Sequence, residues 1–180
     1  MKNFDLLHHE TVYTGRAFSV EVVEARLPDG KVRLYDLVRH PGAVTIVPLD
    51  DQGRIWFVRQ YRLGADMPLL ELPAGTLNLE EDPAACAARE VREETGMAAR
   101  ELKKLGELYL APGYSTEFMH IFLATGLYPD RLQGDDDEFL QTEAIPAAEV
   151  LRMVRENDIN DGKTLAALML AMPYVGEKRE

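Results

Sequence analysis

Residues 75–97, GTLNLEEDPAACAAREVREETGM, concentrate the residue types that can do ionic chemistry. Glu90, Glu93 and Glu94 lie at helical spacing, with Arg89 beside them and Glu81 upstream. Like charges three and four residues apart repel by ~0.2–0.5 kcal/mol per pair, and acidic groups near a helix C-terminus are opposed by the negative end of the macrodipole. A helix shaped for stability alone carries cations there. The opposition is relieved if the carboxylates hold a hard, oxygen-seeking cation such as Mg²⁺ or Mn²⁺, whose few protein ligands are usually completed by waters and substrate phosphates. The residues by themselves also admit a solvated surface helix laced by ion pairs, Arg89 with Glu93 among them.

The element that must position these groups is marked at both ends. Asp82 before Pro83 has the pattern of an N-cap followed by proline at the first helical position, and Gly96 that of the residue just past the end. The spacing predicts a helix from about Pro83 to Thr95. At about 100° per residue, Ala84, Ala88, Val91 and Thr95 form a narrow, mostly apolar stripe, with Glu90, Glu93 and Glu94 gathered on roughly the opposite side. Cys86, among alanines in this helix, is a small packing residue or a reactive thiol.

The chain has 180 residues, of which 46% are hydrophobic, enough for one domain with a real core, plus a small appended sheet. No apolar run approaches the ~20 residues needed to span a bilayer, and MKNFDLLHHE lacks the apolar core of a signal peptide, so a soluble, cytoplasmic protein is expected. One cysteine excludes an internal disulfide and a cysteine-rich zinc site, and the scattered His8, His9, His40 and His120 show no ligand spacing. His120, inside an apolar run, is expected to be a packing residue. A net charge of −11 argues against a nucleic-acid partner, because no basic stripe exists to displace counterions. It also repels anions in general, which favours a small substrate in a cleft where local cations overcome the global field over a large polyanion.

Along the chain, Ser19–Leu27 and Lys31–Val38 are β-rich runs joined by Pro28-Asp29-Gly30, a hairpin signal. Their apolar residues fall on both faces, so the pair needs another surface to cover it. Further strands are expected at Ala43–Leu49, Arg54–Arg59, Leu69–Leu72, Leu102–Leu110 and Glu117–Ala124, and helices at Ala147–Glu156 and Lys163–Met172. This order predicts an α/β (α+β) fold, a mixed sheet sandwiched between helices with an N-terminal antiparallel extension.

Arg59 and Arg62 have the planar forks that grip phosphates, or make surface salt bridges instead. Tyr35, Phe18 and Tyr114 would stack on a base or belong to the core. Glu71, before Leu72-Pro73, would cap a backbone turn or, as the family resemblance set out next implies, recognise an adenine or ribose edge.

Taken together, Gly75, Glu81, Arg89-Glu90-Val91, Glu93-Glu94 and Gly96-Met97 resemble the complete signature of the Nudix hydrolases. HPGAVTIVPL at residues 40–49, VRQYR at 58–62, ELPAG at 71–75, APGYSTE at 111–117 and a proline at Pro112 resemble the ADP-ribose pyrophosphatase branch; the similarity runs from about Phe18 to Met172. The neighbouring GDP-mannose pyrophosphatases share much of this framework. The resemblance implies metal-dependent cleavage of a nucleoside diphosphate sugar, with ADP-ribose giving AMP and ribose 5-phosphate. It implies that the Ala74 carbonyl, Glu90 and Glu94 ligate Mg²⁺ or Mn²⁺, that Glu93 ligates or bridges the metals, and that Arg89 orients a catalytic glutamate. Gly75 and Glu81 are supporting residues. The general base comes from the acidic loop Gly134–Glu138, with Glu138 the chosen residue. The implied division is a β extension over residues 1–40, which dimerises or swaps, and a hydrolase domain over 41–180; the working unit is a homodimer. A different class of function is a non-catalytic sensor that binds ADP-ribose or a nucleotide.

Overall fold

The computed structural model describes residues 3–134 and 139–175. The chain divides into two compact units, Met1–Gly42 with Leu108–Met119, and Ala43–Glu107 with His120–Glu180.

In the first unit, the expected hairpin supplies the central and one edge strand of a three-stranded antiparallel sheet, ordered β1 (Asp5–Thr14), β2 (Ser19–Arg26), β3 (Val32–Arg39). The turn between β2 and β3 closes as its residues require: Gly30 takes φ 87°, and the Leu27 N–H donates to the Lys31 carbonyl at 2.8 Å. On β2, Val23 and Ala25 are buried, and buried Glu21 is paired with Arg39 at 2.8 Å. Strand β1 has every residue exposed, so it has no apolar alternation to announce it in the sequence. Residues 108–119 carry a second pairing: the Val38 N–H donates to the Tyr114 carbonyl at 2.8 Å, and the Thr116 N–H to the Val38 carbonyl at 2.9 Å.

The second unit carries β4 (Ala43–Pro48), β5 (Arg54–Arg62), β6 (Met67–Glu71), β7 (Ala74–Thr76), α1 (Pro83–Thr95), β8 (from Met97), β9 (to Pro129), β10 (Gln141–Pro146), α2 (Ala147–Arg155) and α3 (Gly162–Ala171). Strands β8 and β9 span Met97–Tyr109 and Phe118–Pro129, so the division between units cuts both. The sheets are ordered β10-β5-β6 and β7-β4-β9-β8. Strand β4 is buried at every residue, and both α1 and α3 pack against it, which accounts for its largely apolar sequence; its one polar side chain, Thr45, donates to the Pro73 carbonyl at 3.2 Å. The core joins Val44 and Ile46 of β4 to Cys86, Ala87 and Val91 of α1 and to Phe122 and Ala124 of β9. The architecture is mixed α+β, as expected. Three strands, β1, β7 and β10, were absent from the sequence reading, and β8 begins at Met97 rather than near Leu102. No helix among the described residues is long and apolar enough to cross a membrane.

Candidate active site

Helix α1 forms where its caps dictate. Both the Ala84 and Ala85 N–H groups donate to Asp82 Oδ2 at 3.0 Å, and Gly96, at φ 75°, returns its N–H to the Arg92 carbonyl at 3.0 Å. Its buried face differs from the expected stripe. Cys86, Ala87, Glu90, Val91, Glu94 and Thr95 are buried, Ala84 is exposed and Ala88 half-buried. Two glutamates expected on a charged outer face therefore point inward, at 8% exposure for Glu90 and 4% for Glu94.

The cause is strand β7. Gly75 leaves room that Glu90 fills: a Cβ there would stand 1.9 Å from both the Glu90 carboxyl carbon and its Oε1. One residue earlier, the Ala74 N–H donates to Glu94 Oε2 at 3.1 Å. Arg89 supplies the countercharge. Its Nη1 donates to Glu90 Oε1 at 2.6 Å and to Glu93 Oε2 at 2.9 Å, while Nε and Nη2 each reach a Glu81 oxygen at 3.1 Å. One guanidinium thus ties three carboxylates together.

Glu81 also accepts from the Asn78 backbone and amide N–H groups, at 2.9 and 3.0 Å, which secures the loop before α1. The Arg89 hydrogen bonds overcome burial and bring the Glu81 carboxyl down to about 2. Burial works to lower the Arg89 guanidinium, but the Glu81 hydrogen bonds and the Glu90 charge prevail and raise it. Burial pushes the Cys86 thiol up to about 12, so this fully buried residue is a packing group rather than a thiolate nucleophile.

A second ionic cluster lies in the same unit. Glu71 is 1% exposed, and both of its oxygens are taken. Arg62 Nε and Nη2 fork onto Oε1 and Oε2 at 2.8 Å each, and Lys163 Nζ also donates to Oε2. Lys163 bonds Asp161 at 2.9 Å as well. The Arg62 fork thus sits on a carboxylate, the salt-bridge alternative to the phosphate grip expected of it, and that carboxylate is buried rather than on the surface. Arg59 pairs with Glu143 at 3.2 Å.

Tyr35 and Tyr114, at 40% and 62% exposure, and Phe18, at 44%, belong to the first unit and are open to solvent rather than core residues. Glu138 lies outside the described residues. His120 Nδ1 is hydrogen-bonded to Glu107 at 2.8 Å on a mostly buried side chain, as a satisfied packing residue should be. Sequence reasoning missed Lys163, Asp161 and Thr164 as site neighbours. Asp161 was open to recognition as a helix cap, since its carboxylate accepts from the Thr164 N–H at 3.0 Å, but nothing local links Lys163 to Glu71.

Among the described residues, no three His, Cys, Asp or Glu side chains form a ready-made cage for a metal ion. Arg89 already engages Glu90 and Glu93. The donors nevertheless fit a hard divalent cation in kind: Glu90, Glu93 and Glu94 offer oxygen only, two of them are buried, and the missing Cβ of Gly75 is the cradle in which the Glu90 carboxylate sits.

A mixed α+β fold presenting inward glutamates beside a glycine strand defines the class, and a family comparison agrees with it: the NUDIX domain model matches residues 39–168. The chain belongs to the NUDIX domain family. It is 34% identical over 161 residues to the ADP-ribose pyrophosphatase of Bacillus subtilis (strain 168), covering 88% of this chain and 87% of that protein. It is 35% identical over 147 residues to the GDP-mannose pyrophosphatase of Salmonella paratyphi B (strain ATCC BAA-1250 / SPB7), covering 77% and 75% respectively. Among solved structures, a crystal structure of an ADP compounds hydrolase superposes with a TM-score of 0.87 at 30% identity, over 99% of this chain and 98% of that one.

Proposed function

We propose that this Nudix hydrolase cleaves the diphosphate bond of ADP-ribose with water, giving AMP and ribose 5-phosphate. The observation that carries the reading is the pair of buried carboxylates, Glu90 and Glu94, packed beside Ala74 and Gly75 in a chain whose relatives include an ADP-ribose pyrophosphatase. A non-catalytic nucleotide sensor has no need for two inward carboxylates at this strand. The GDP-mannose pyrophosphatase relative makes GDP-mannose the competing substrate.

Glu90, Glu94 and the Ala74 carbonyl would hold Mg²⁺ or Mn²⁺, with Glu93 as a further carboxylate donor. Such a cation would supply Lewis-acid polarisation of the diphosphate and a lowered pKa for bound water. Arg89 holds Glu90 and Glu93 in place, and Glu81 holds Arg89. Glu138 takes the proton of the attacking water. Arg59 and Arg62 grip the phosphates and Glu71 sets the direction of Arg62, while exposed Tyr35 and Tyr114 of the first unit are the candidates for stacking on a base. The working unit is a cytoplasmic homodimer in which residues 1–40 form the pairing element and lend contacts to the partner's hydrolase domain, residues 41–180. Exposed Leu6, Val12 and Leu34 on the three-stranded sheet support that pairing.

Turnover of ADP-ribose, GDP-mannose, diadenosine polyphosphates, FAD, NADH and coenzyme A, compared with Mg²⁺ and Mn²⁺, tests the reading. AMP release fastest from ADP-ribose is expected. Preference for GDP-mannose would transfer the assignment to that sugar nucleotide, and tight ADP-ribose binding without turnover would favour the sensor.

A further inference from the structure

Arg62 and Lys163 converge on a single buried carboxylate, and Arg62 alone would neutralise it. Lys163, with a side chain 12% exposed, divides its donors between Glu71 and Asp161, so two cations and two carboxylates balance. Next to it, the Leu72 N–H donates to Thr164 Oγ1 at 2.9 Å, and Thr164 Oγ1 donates to Asp161 Oδ2 at 2.6 Å. The chain that follows is tied residue by residue: the Pro73 carbonyl accepts from the Ile46 N–H at 2.9 Å, and the Ala74 N–H donates to Glu94. The start of α3 therefore grips the strand end that leads into Gly75.

We propose that Asp161, Lys163 and Thr164 form a positioning clamp that aims Arg62 at the substrate phosphates; this rests on the reading of Arg62 as a phosphate partner. The fork onto Glu71 uses Nε and Nη2, which leaves Nη1 outside it on a side chain that is 42% exposed. Asp161 and Glu94 both attract Arg62. Lys163 holds Asp161 in balance and shares Glu71, so Arg62 is not drawn toward Asp161. Without the ammonium, two carboxylates compete for Arg62, and its free edge turns inward. The clamp residues touch no reacting atom; they are positioning residues.

The test uses the full chain with Mg²⁺. Lys163→Met should raise KM for ADP-ribose about tenfold, the worth of one weakened charge-assisted hydrogen bond, with kcat changed less than about threefold. Lys163→Arg should restore KM to within about threefold, because it returns a donor cation to both carboxylates. In ¹⁵N spectra, the Arg62 Nε–H resonance should be slow to exchange in the wild type and lose that protection in Lys163→Met. Unchanged KM, or an Arg62 Nε–H signal with unchanged shift and exchange, would overturn the clamp. A loss of kcat and thermal stability at constant KM would also overturn it, since that is what a purely structural residue gives. A wild type inert toward ADP-ribose would count against the substrate reading, and the Arg62 resonance would then decide the clamp alone. If Lys163→Met fails to fold, Lys163→Gln, which keeps a donor without the charge, is judged by the same measurements.

Discussion

Gly75 and Glu90 occupy what would otherwise be the same space: a side-chain carbon on Gly75 would lie 1.9 Å from the Glu90 carboxyl group. The glycine is thus required for clearance and not for an unusual backbone angle. Gly75→Ala should destabilise the fold by about 1–3 kcal/mol, the usual cost of overpacking. It should also weaken Mn²⁺ binding, because Glu90 must leave its cradle. Calorimetric titration with Mn²⁺ alongside thermal melting checks both effects; unchanged affinity would remove Glu90 from the ligand set.

Glu94→Gln should cut kcat/KM by about 10²-fold or more, since it removes an anionic ligand. The fold should survive, because an amide oxygen can still accept the Ala74 N–H now received by Glu94. The variant is measured for turnover and, with excess chelator, for melting. Activity within about threefold of wild type would show the ligand assignment to be mistaken.

Glu138→Gln should lower kcat by ~10²–10⁴-fold, the usual worth of a positioned proton acceptor, with little change in metal affinity. Parallel Asp136→Asn and Asp137→Asn variants locate the base within the acidic loop. If none of the three matters, Glu93 becomes the candidate.

The stability of the protein should fall in acid through Glu71. Burial works to raise its carboxyl, but the Arg62 fork and the Lys163 charge outweigh burial and hold it below 4.5. A carboxyl depressed in the folded state contributes stability that is fully present above its unfolded pKa, near 4.5, and is lost as pH falls through the lower folded value. Glu71→Gln should therefore cost about 3 kcal/mol at pH 7, the low end for breaking a buried pair because Arg62 is half exposed. The gap between wild type and variant should narrow below pH 4.5. Denaturant unfolding across that range supplies the measurement, and a gap that widens in acid would reverse the sign.

Light scattering at micromolar concentration should give a dimer. Mixing an inactive Glu94 variant with a variant inactivated between residues 19 and 38 should recover activity if the sheet lends contacts to the partner. A fully active monomer would end the dimer reading, and a dimer without recovery would leave two self-contained sites.

The ends and direction of α1 were legible because capping is local: Asp82, Pro83 and Gly96 act on atoms within a few residues. The hairpin turn at Gly30 and the largely apolar β4 were legible for the same reason. Strands β1 and β10 were not, since residues such as Leu6, His8 and Gln141 owe their strand form to partners in β2 and β5 and show no periodic burial of their own. Periodicity also placed Glu90 and Glu94 outside, because it ranks carboxylates as solvent-seeking. Only tertiary packing brings Gly75 to where it makes room for Glu90, and the Ala74 N–H to where Glu94 accepts from it; Arg89 meets Glu90 from within the same helix. The Lys163–Glu71 pair is the extreme case: its partners are 92 residues apart, and no pattern within either segment can encode a contact that exists only when α3 closes over the end of β6.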